Sequence, residues 1–149
     1  MSTMTRKEAF KLVEEDGFQL EDVSEEFKKD KEIVLAAIDS IKNIAADSRT
    51  ILEYASESLK KDKEIVLAAV QSFGHNLEHA DESFRKDKVI VLAAIKNYGR
   101  ALNYADKSLR KDKEIVLAAV RNDAYSLQYA DESLKNDPDI IKVYSENIK

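Results

Sequence analysis

The stretch Lys61-Asp-Lys-Glu-Ile-Val-Leu-Ala-Ala69 recurs from Lys29 and Lys111, and from Lys86 in the form Lys-Asp-Lys-Val-Ile-Val-Leu-Ala-Ala. The aspartates Asp62, Asp87, Asp112 and Asp137 are spaced by 25 residues, so one supersecondary unit has been copied along the chain. A fixed period of this size is the mark of a solenoid, in which each unit buries its apolar face only against its neighbours.

Within the unit Asp62–Lys86, Asp62 reads as an N-cap, whose carboxylate accepts from the free N–H groups of a first helical turn. Pro138, directly after Asp137, supports that reading, because proline is favoured at the first helical position. Ile65 to Val70 is apolar throughout, which alone also fits a buried strand. The alanine pairs and Pro138 favour a helix A covered on several sides. Gly74 and Gly99 are expected to supply the left-handed residue that ends it. Leu77, Ala80 and Phe84 then form one stripe on a helix B, with Glu78, Asp81 and Glu82 outside. Neither helix, at roughly ten residues, is stable alone.

The opening segment is a divergent copy, with Thr5 aligned on Asp62 and Gly17 on Gly74, and Thr5 with Glu8 forms a capping box. The second copy is longer by seven residues. Ile38, Ile41, Ile44 and Ala45 continue the stripe, which predicts a helix A extended by about two turns, with Asp47 and Ser48 as caps for the next helix. The expected units are residues 5–29, 30–61, 62–86, 87–111 and 112–136, with a capping half-unit at 137–149. The fold expected is all-α, a right-handed αα-solenoid of about five and a half 25-residue helix-hairpin repeats in one domain (1–149). Glu8, Lys11 and Glu15 at one end stand where the reference copy carries Ile65, Ala68 and Ser72, and Lys142, Ser145 and Glu146 at the other stand where Leu117, Val120 and Arg121 do. They read as polar caps of a complete, monomeric array.

The Asp-Lys-Glu-Ile-Val-Leu-Ala-Ala-Val run, followed by Gly-x-x-Leu-x-Tyr-Ala-Asp-Glu-Ser-Leu, resembles the repeat of domain-of-unknown-function family 4116. The resemblance spans residues 30–137 and extends weakly to the first copy. It implies a helical repeat module; the family carries no established activity, so no site residue follows from it.

Composition fits a single soluble domain, with 44% hydrophobic and 36% charged residues. The apolar runs fall far short of the roughly 20 residues of a membrane span, and the N-terminus shows no signal sequence. A cytoplasmic setting is the expectation, and delivery into a host cell stays open. The chain has no cysteine, hence neither disulfides nor thiolate metal sites. A net charge of −5 exerts no global pull toward nucleic acid.

His75-Asn-Leu-Glu-His79 matches the inverted zinc-protease pattern, with two histidines four apart on a helix. A metal there needs a further protein ligand, and both histidines stand at positions that vary between copies. No nucleophile with a partnered base is visible, so neither enzyme activity nor a cofactor is expected. Tyr54, His79, Tyr104 and Tyr129 form a ladder on the flank of helix B, open either to packing between repeats or to a protein partner. Ile41, Asn43 and Asp47 in the longer copy are further candidates for protein binding. Lys60, Lys61, Arg85, Lys86, Arg110 and Lys111 form a basic edge that could follow phosphates. The same residues complement the end of helix B and lie among carboxylates. The function expected is a non-catalytic scaffold for a protein partner, with nucleic-acid binding along the basic edge as the alternative and a metalloprotein through His75 and His79 as a remote one.

Overall fold

The computed structural model describes residues 3–44 and 49–148. Six helices, α1 (Arg6–Glu15), α2 (Lys31–Ile41), α3 (Lys63–Ser72), α4 (Lys88–Asn97), α5 (Lys113–Asn122) and α6 (Pro138–Asn147), stand side by side in chain order. The described residues contain no strand, and the repeated units stack as an all-α solenoid. One layer is made of these long helices and the other of the segments that return between them.

Each long helix opens on an acceptor. Asp62 takes the N–H groups of Glu64 and Ile65, at 3.0 and 3.2 Å, and Asp30, Asp87, Asp112 and Asp137 do the same in their copies. Thr5 and Glu8 form the reciprocal capping box. The lysine after each aspartate then reaches forward to the next copy. Lys31 meets Asp62 and Glu64 at 2.9 and 2.7 Å, Lys88 meets Asp112 and Glu114 at 3.0 and 2.7 Å, and Lys113 meets Asp137 and Asp139 at 3.0 and 2.6 Å. Arg6 does the same with Asp30 and Glu32. The phrase Asp-Lys-Glu thus encodes one cap and one link of an ion-pair ladder.

Ile65, Val66, Ala69 and Val70, with their counterparts in α4 and α5, are fully buried between layers and neighbours. Leu67 and Ala68 of the same run are only half-buried. Helix A is therefore covered on two sides rather than all round. At its other end, the Asn97 amide donates to Val70 O and Gln71 O at 2.9 Å each and accepts from the Gly74 N–H at 2.7 Å. Asn122 repeats the arrangement one copy on, so each asparagine satisfies carbonyls that the preceding helix leaves open.

Three expectations are corrected. First, Gly74 and Gly99 do not adopt a left-handed conformation; α3 ends on extended Phe73 (φ −156°, ψ 117°). Glycine is needed because a Cβ on Gly74 would lie 2.2 Å from Ala94 O, where the next helix crosses the chain. Secondly, helix B is not one helix. Gly74–His79 is 3₁₀, Ala80 and Asp81 are extended, and Glu82–Arg85 is a single α turn. The break lets Asp81 cap the following turn through the Ser83 N–H and hydroxyl, and lets its own N–H reach Lys60 O of the preceding copy at 3.1 Å. Thirdly, α2 is not extended by two turns; it stops at Ile41, and Ile44 is 50% exposed. Its neighbours α1 and α3 have ten residues each, so further turns would have little surface to bury against. Ala45 and the caps expected at Asp47 and Ser48 lie outside the described residues.

Candidate functional site

The 3₁₀ form of Gly74–His79 changes how the His-x-x-Glu-His motif reads in space. With three residues per turn, positions i and i+3 eclipse, so His75 faces Glu78 rather than His79. His75 Nε2 lies 2.9 Å from Glu78 Oε2, and His79 Nε2 lies 3.8 Å from the same oxygen. Among the described residues no group of three or more His, Cys, Asp or Glu is placed to hold a metal ion. His75 is instead part of an aromatic cluster. It stacks on Tyr98 with ring centres 5.5 Å apart, lies 5.0 Å from the Tyr104 ring and 5.7 Å from Phe73, and meets the Tyr104 hydroxyl at 2.9 Å. Phe73 and Tyr98, which complete this bridge between the third and fourth copies, were not singled out by periodicity because each stands just past the end of its helix.

Tyr54, His79, Tyr104 and Tyr129 occupy equivalent places in the return layer, and all four are half-buried. The three tyrosine rings lie against the core. Burial, reinforced by the Glu78 carboxylate, pushes the Tyr104 phenol up to about 12. Burial also lowers the His79 imidazole below its ordinary value, against the pull of Glu78. These are the signs of side chains used inside the stack. Ile41 is 7% exposed and belongs to the core, which removes it from the candidate binding residues. Asn43 is exposed, and Asp47 lies outside the described residues.

The basic edge is partly paired and partly buried. Lys60 pairs with Glu57 at 2.9 Å and Lys86 with Glu82 at 2.8 Å, while the Nε atoms of Arg85 and Arg110 are buried. Lys61 and Lys111 remain exposed. With the lysines that open α3, α4 and α5 held in the carboxylate ladder, the edge does not form a continuous cationic track.

The surface left without a covering layer is the outer face of the long helices. Leu67 and Ala68 of α3, Leu92 and Ala93 of α4, and Leu117 and Ala118 of α5 fall on it at one register, half-buried, three and four residues after the second position of each helix. At one end, Phe10, Leu35, Ala36 and Ala68 floor a hollow of about 580 Å³ rimmed by Glu32 and Asp39. At the other, Leu117 and Val143 line a smaller one, of about 390 Å³, with Arg121 and Lys142. The same strip therefore runs from α1 to α6. Lys11 and Lys142, expected to cap neighbour-facing surfaces, prove to belong to this outer face; Glu8, Glu15 and Ser145 stand at registers where inner copies carry Ile65, Ser72 and Val120. Sequence periodicity missed the strip because Ile-Val-Leu-Ala-Ala-Val is apolar on every side of the helix.

No helix among the described residues is long and apolar enough to cross a membrane. Comparison with curated proteins and with solved structures returned no match. The family model of Domain of unknown function (DUF4116) matches residues 6–60, 41–78, 62–110 and 112–143. With the 25-residue period and the stacked helices, those matches place this chain in the DUF4116 repeat family.

Proposed function

We propose that the protein is a non-catalytic helical-repeat scaffold that binds a protein partner through the outer face of its long helices. The observation that carries this reading is the strip of partly buried leucine and alanine that continues from one copy to the next on the outer side of the long helices. A packed core would bury such a strip, and a purely solvated face would be polar. Solenoids present extended surfaces of this type to partners. The binding surface proposed lies on the long helices rather than on the tyrosine flank, where the Tyr104 hydroxyl is engaged by His75. Binding to nucleic acid has less support, because most of the cations at the ends of the copies are held by carboxylates or partly buried.

The test is affinity capture from the native cell with wild-type protein and with a Leu67→Lys, Leu92→Lys double variant. Lysine is tolerable at this register, since α6 carries Lys142 there. The expected result is a specific partner retained by wild type and reduced about tenfold or more in the variant, with unchanged helical circular dichroism and melting. Undiminished capture by a folded variant, or no specific partner at all, would overturn the reading.

A further inference from the structure

The ion-pair ladder along the N-terminal ends of the long helices has one irregular link. In four links a cation meets two carboxylates: Arg6 with Asp30 and Glu32, Lys31 with Asp62 and Glu64, Lys88 with Asp112 and Glu114, and Lys113 with Asp137 and Asp139. Each such link is left with one excess negative charge. In the middle link Lys63 meets Asp87 alone, at 3.2 Å, because the second acid is replaced by Val89. Val89 is 63% exposed and sits one turn before Leu92 and Ala93 on the same side of α4. The apolar strip therefore widens at α4 alone, and the acidic rim on that side is interrupted there, with Glu64 before the gap and Glu114 after it. The rim at the other end of the helices carries Lys96 and Arg121.

Building on the scaffold reading, we infer that this face takes an amphipathic helix of the partner, seated with its apolar stripe on Val89 and Leu92 and with cations on one flank meeting Glu64 and Glu114. A helix is the matching element because the described residues offer no strand edge for an extended peptide to join, while an apolar helix face rimmed by charge can seat the apolar side of another helix. The spacing follows from helix geometry. Neighbouring helices pack about 8–10 Å apart, so Glu64 and Glu114, two helices apart, are separated by roughly 16–20 Å. At a rise of about 1.5 Å per residue, the partner's two cationic positions stand about 11–13 residues apart, with the apolar anchor between them. The cations of Lys96 and Arg121 repel that flank from the opposite rim and so set the orientation. The excess negative charge steers the approach, and the desolvated valine and leucine supply the anchor.

The probe is a synthetic helical peptide of about 18 residues, long enough to span both carboxylates, with a leucine stripe and lysines beside it near each end. Its control carries glutamates at the lysine positions. Fluorescence anisotropy should show binding of the lysine peptide and none of the glutamate peptide. Val89→Glu, which restores the residue type found in α2, α3 and α5 and so preserves the fold, should weaken binding about tenfold or more. Glu64→Gln with Glu114→Gln should weaken it about threefold to tenfold and flatten its dependence on salt. Equal binding of both peptides, binding of neither, or indifference to Val89→Glu would overturn the inference. So would a wild-type dimer in sedimentation that Val89→Glu dissolves, because a second copy would then own the face. Cellular capture that depends on Leu67 and Leu92 but not on Val89 would defeat this inference alone; capture independent of all three would defeat the scaffold reading with it.

Discussion

In the long-helix layer, Ile65, Ile90 and Ile115 occupy one register, and all three are fully buried. In the return layer, Ile51, Asn76, Ala101 and Ser126 also occupy one register and are also buried, yet two are apolar and two are polar. Backbone accounting explains the contrast. An α-helix satisfies its own interior N–H and C=O groups, so its buried side chains need only fill space. The return segments are 3₁₀ turns broken by extended residues, and they leave backbone groups that something else must satisfy. In the third copy Asn76 does this, accepting from the Leu52 N–H at 2.9 Å and donating to Ala69 O and Phe73 O at 3.1 and 3.0 Å. The long helices can be copied almost unchanged, whereas each return segment is adjusted to its own neighbours.

The largest effect is expected where the return layer runs hard against a long helix. A Cβ on Gly74 would lie 2.2 Å from Ala94 O and 2.8 Å from Asn97 Oδ1, whereas one on Gly99 would lie 2.7 Å from Ala119 O. At the same register the fifth copy already carries Ala124, buried without a glycine. Gly74→Ala should therefore cost about 3 kcal/mol and Gly99→Ala about 1–2 kcal/mol, as overpacking of a fixed backbone does. Urea denaturation of both variants measures the difference. Equal costs would mean that the spacing between layers relaxes freely, and the distinction between a rigid layer and an adjusted one would fail.

The next prediction sets two residues of the variable register against each other. Asn76→Ala strands the buried Leu52 N–H and removes one of the donors to Ala69 O and Phe73 O, which keep the N–H groups of Phe73 and residue 76, and should cost about 2 kcal/mol. The Ser126 hydroxyl is buried with no hydrogen-bond partner among the described residues, and the fourth copy carries Ala101 in its place. Ser126→Ala should fall within about 0.5 kcal/mol of wild type or stabilise the chain. A cost for Ser126→Ala similar to that for Asn76→Ala, in thermal or urea melts, would show that the register is polar by requirement rather than by local need.

The same contrast decides how much was legible in the sequence. The caps at Asp62, Asp87, Asp112 and Asp137 could be read directly, because a cap is a local interaction between a side chain and its own first turn. The buried face of Ile65, Val66, Ala69 and Val70 was legible as apolar, but the open face of Leu67 and Ala68 was not, since an all-apolar run has no periodic minimum. The return segment was misread as one helix because Leu77, Ala80 and Phe84 keep helical spacing, while what breaks it is long-range: the Asp81 N–H bonds to Lys60 O in the preceding copy. The reason for glycine at position 74 is not legible locally, because the close approach of Ala94 O comes from another unit. At the candidate site, the valine of the Lys86-Asp-Lys-Val variant was visible from the start. Its meaning required the ladder, in which Lys63 has lost its second carboxylate.

The smallest expected effect concerns the caps themselves, which both layers use in different ways. Asp81 in the return layer is held below the usual carboxylate range by Ser83 alone in its hydrogen bonding, first its hydroxyl and then its N–H, a contact inside one turn. Asp62 in the long-helix layer is held low first by Lys31 of the preceding copy and then, against partial burial, by the Ile65 N–H. A carboxylate whose folded pKa is depressed contributes its full stabilisation above the ordinary carboxylate range, near about 4, and loses it as pH falls through the folded value. Asparagine caps a helix about as well as aspartate but cannot pair with Lys31. Asp62→Asn should therefore cost less than about 1 kcal/mol at pH 7, the scale of a partly exposed ion pair. The gap between variant and wild type in urea midpoint should close as pH falls below about 4, because the wild-type carboxylate is then neutralised as well. If the gap is the same at pH 3 as at pH 7, the link between copies at Asp62 is made by cap geometry and not by charge, and the two layers use their aspartates alike.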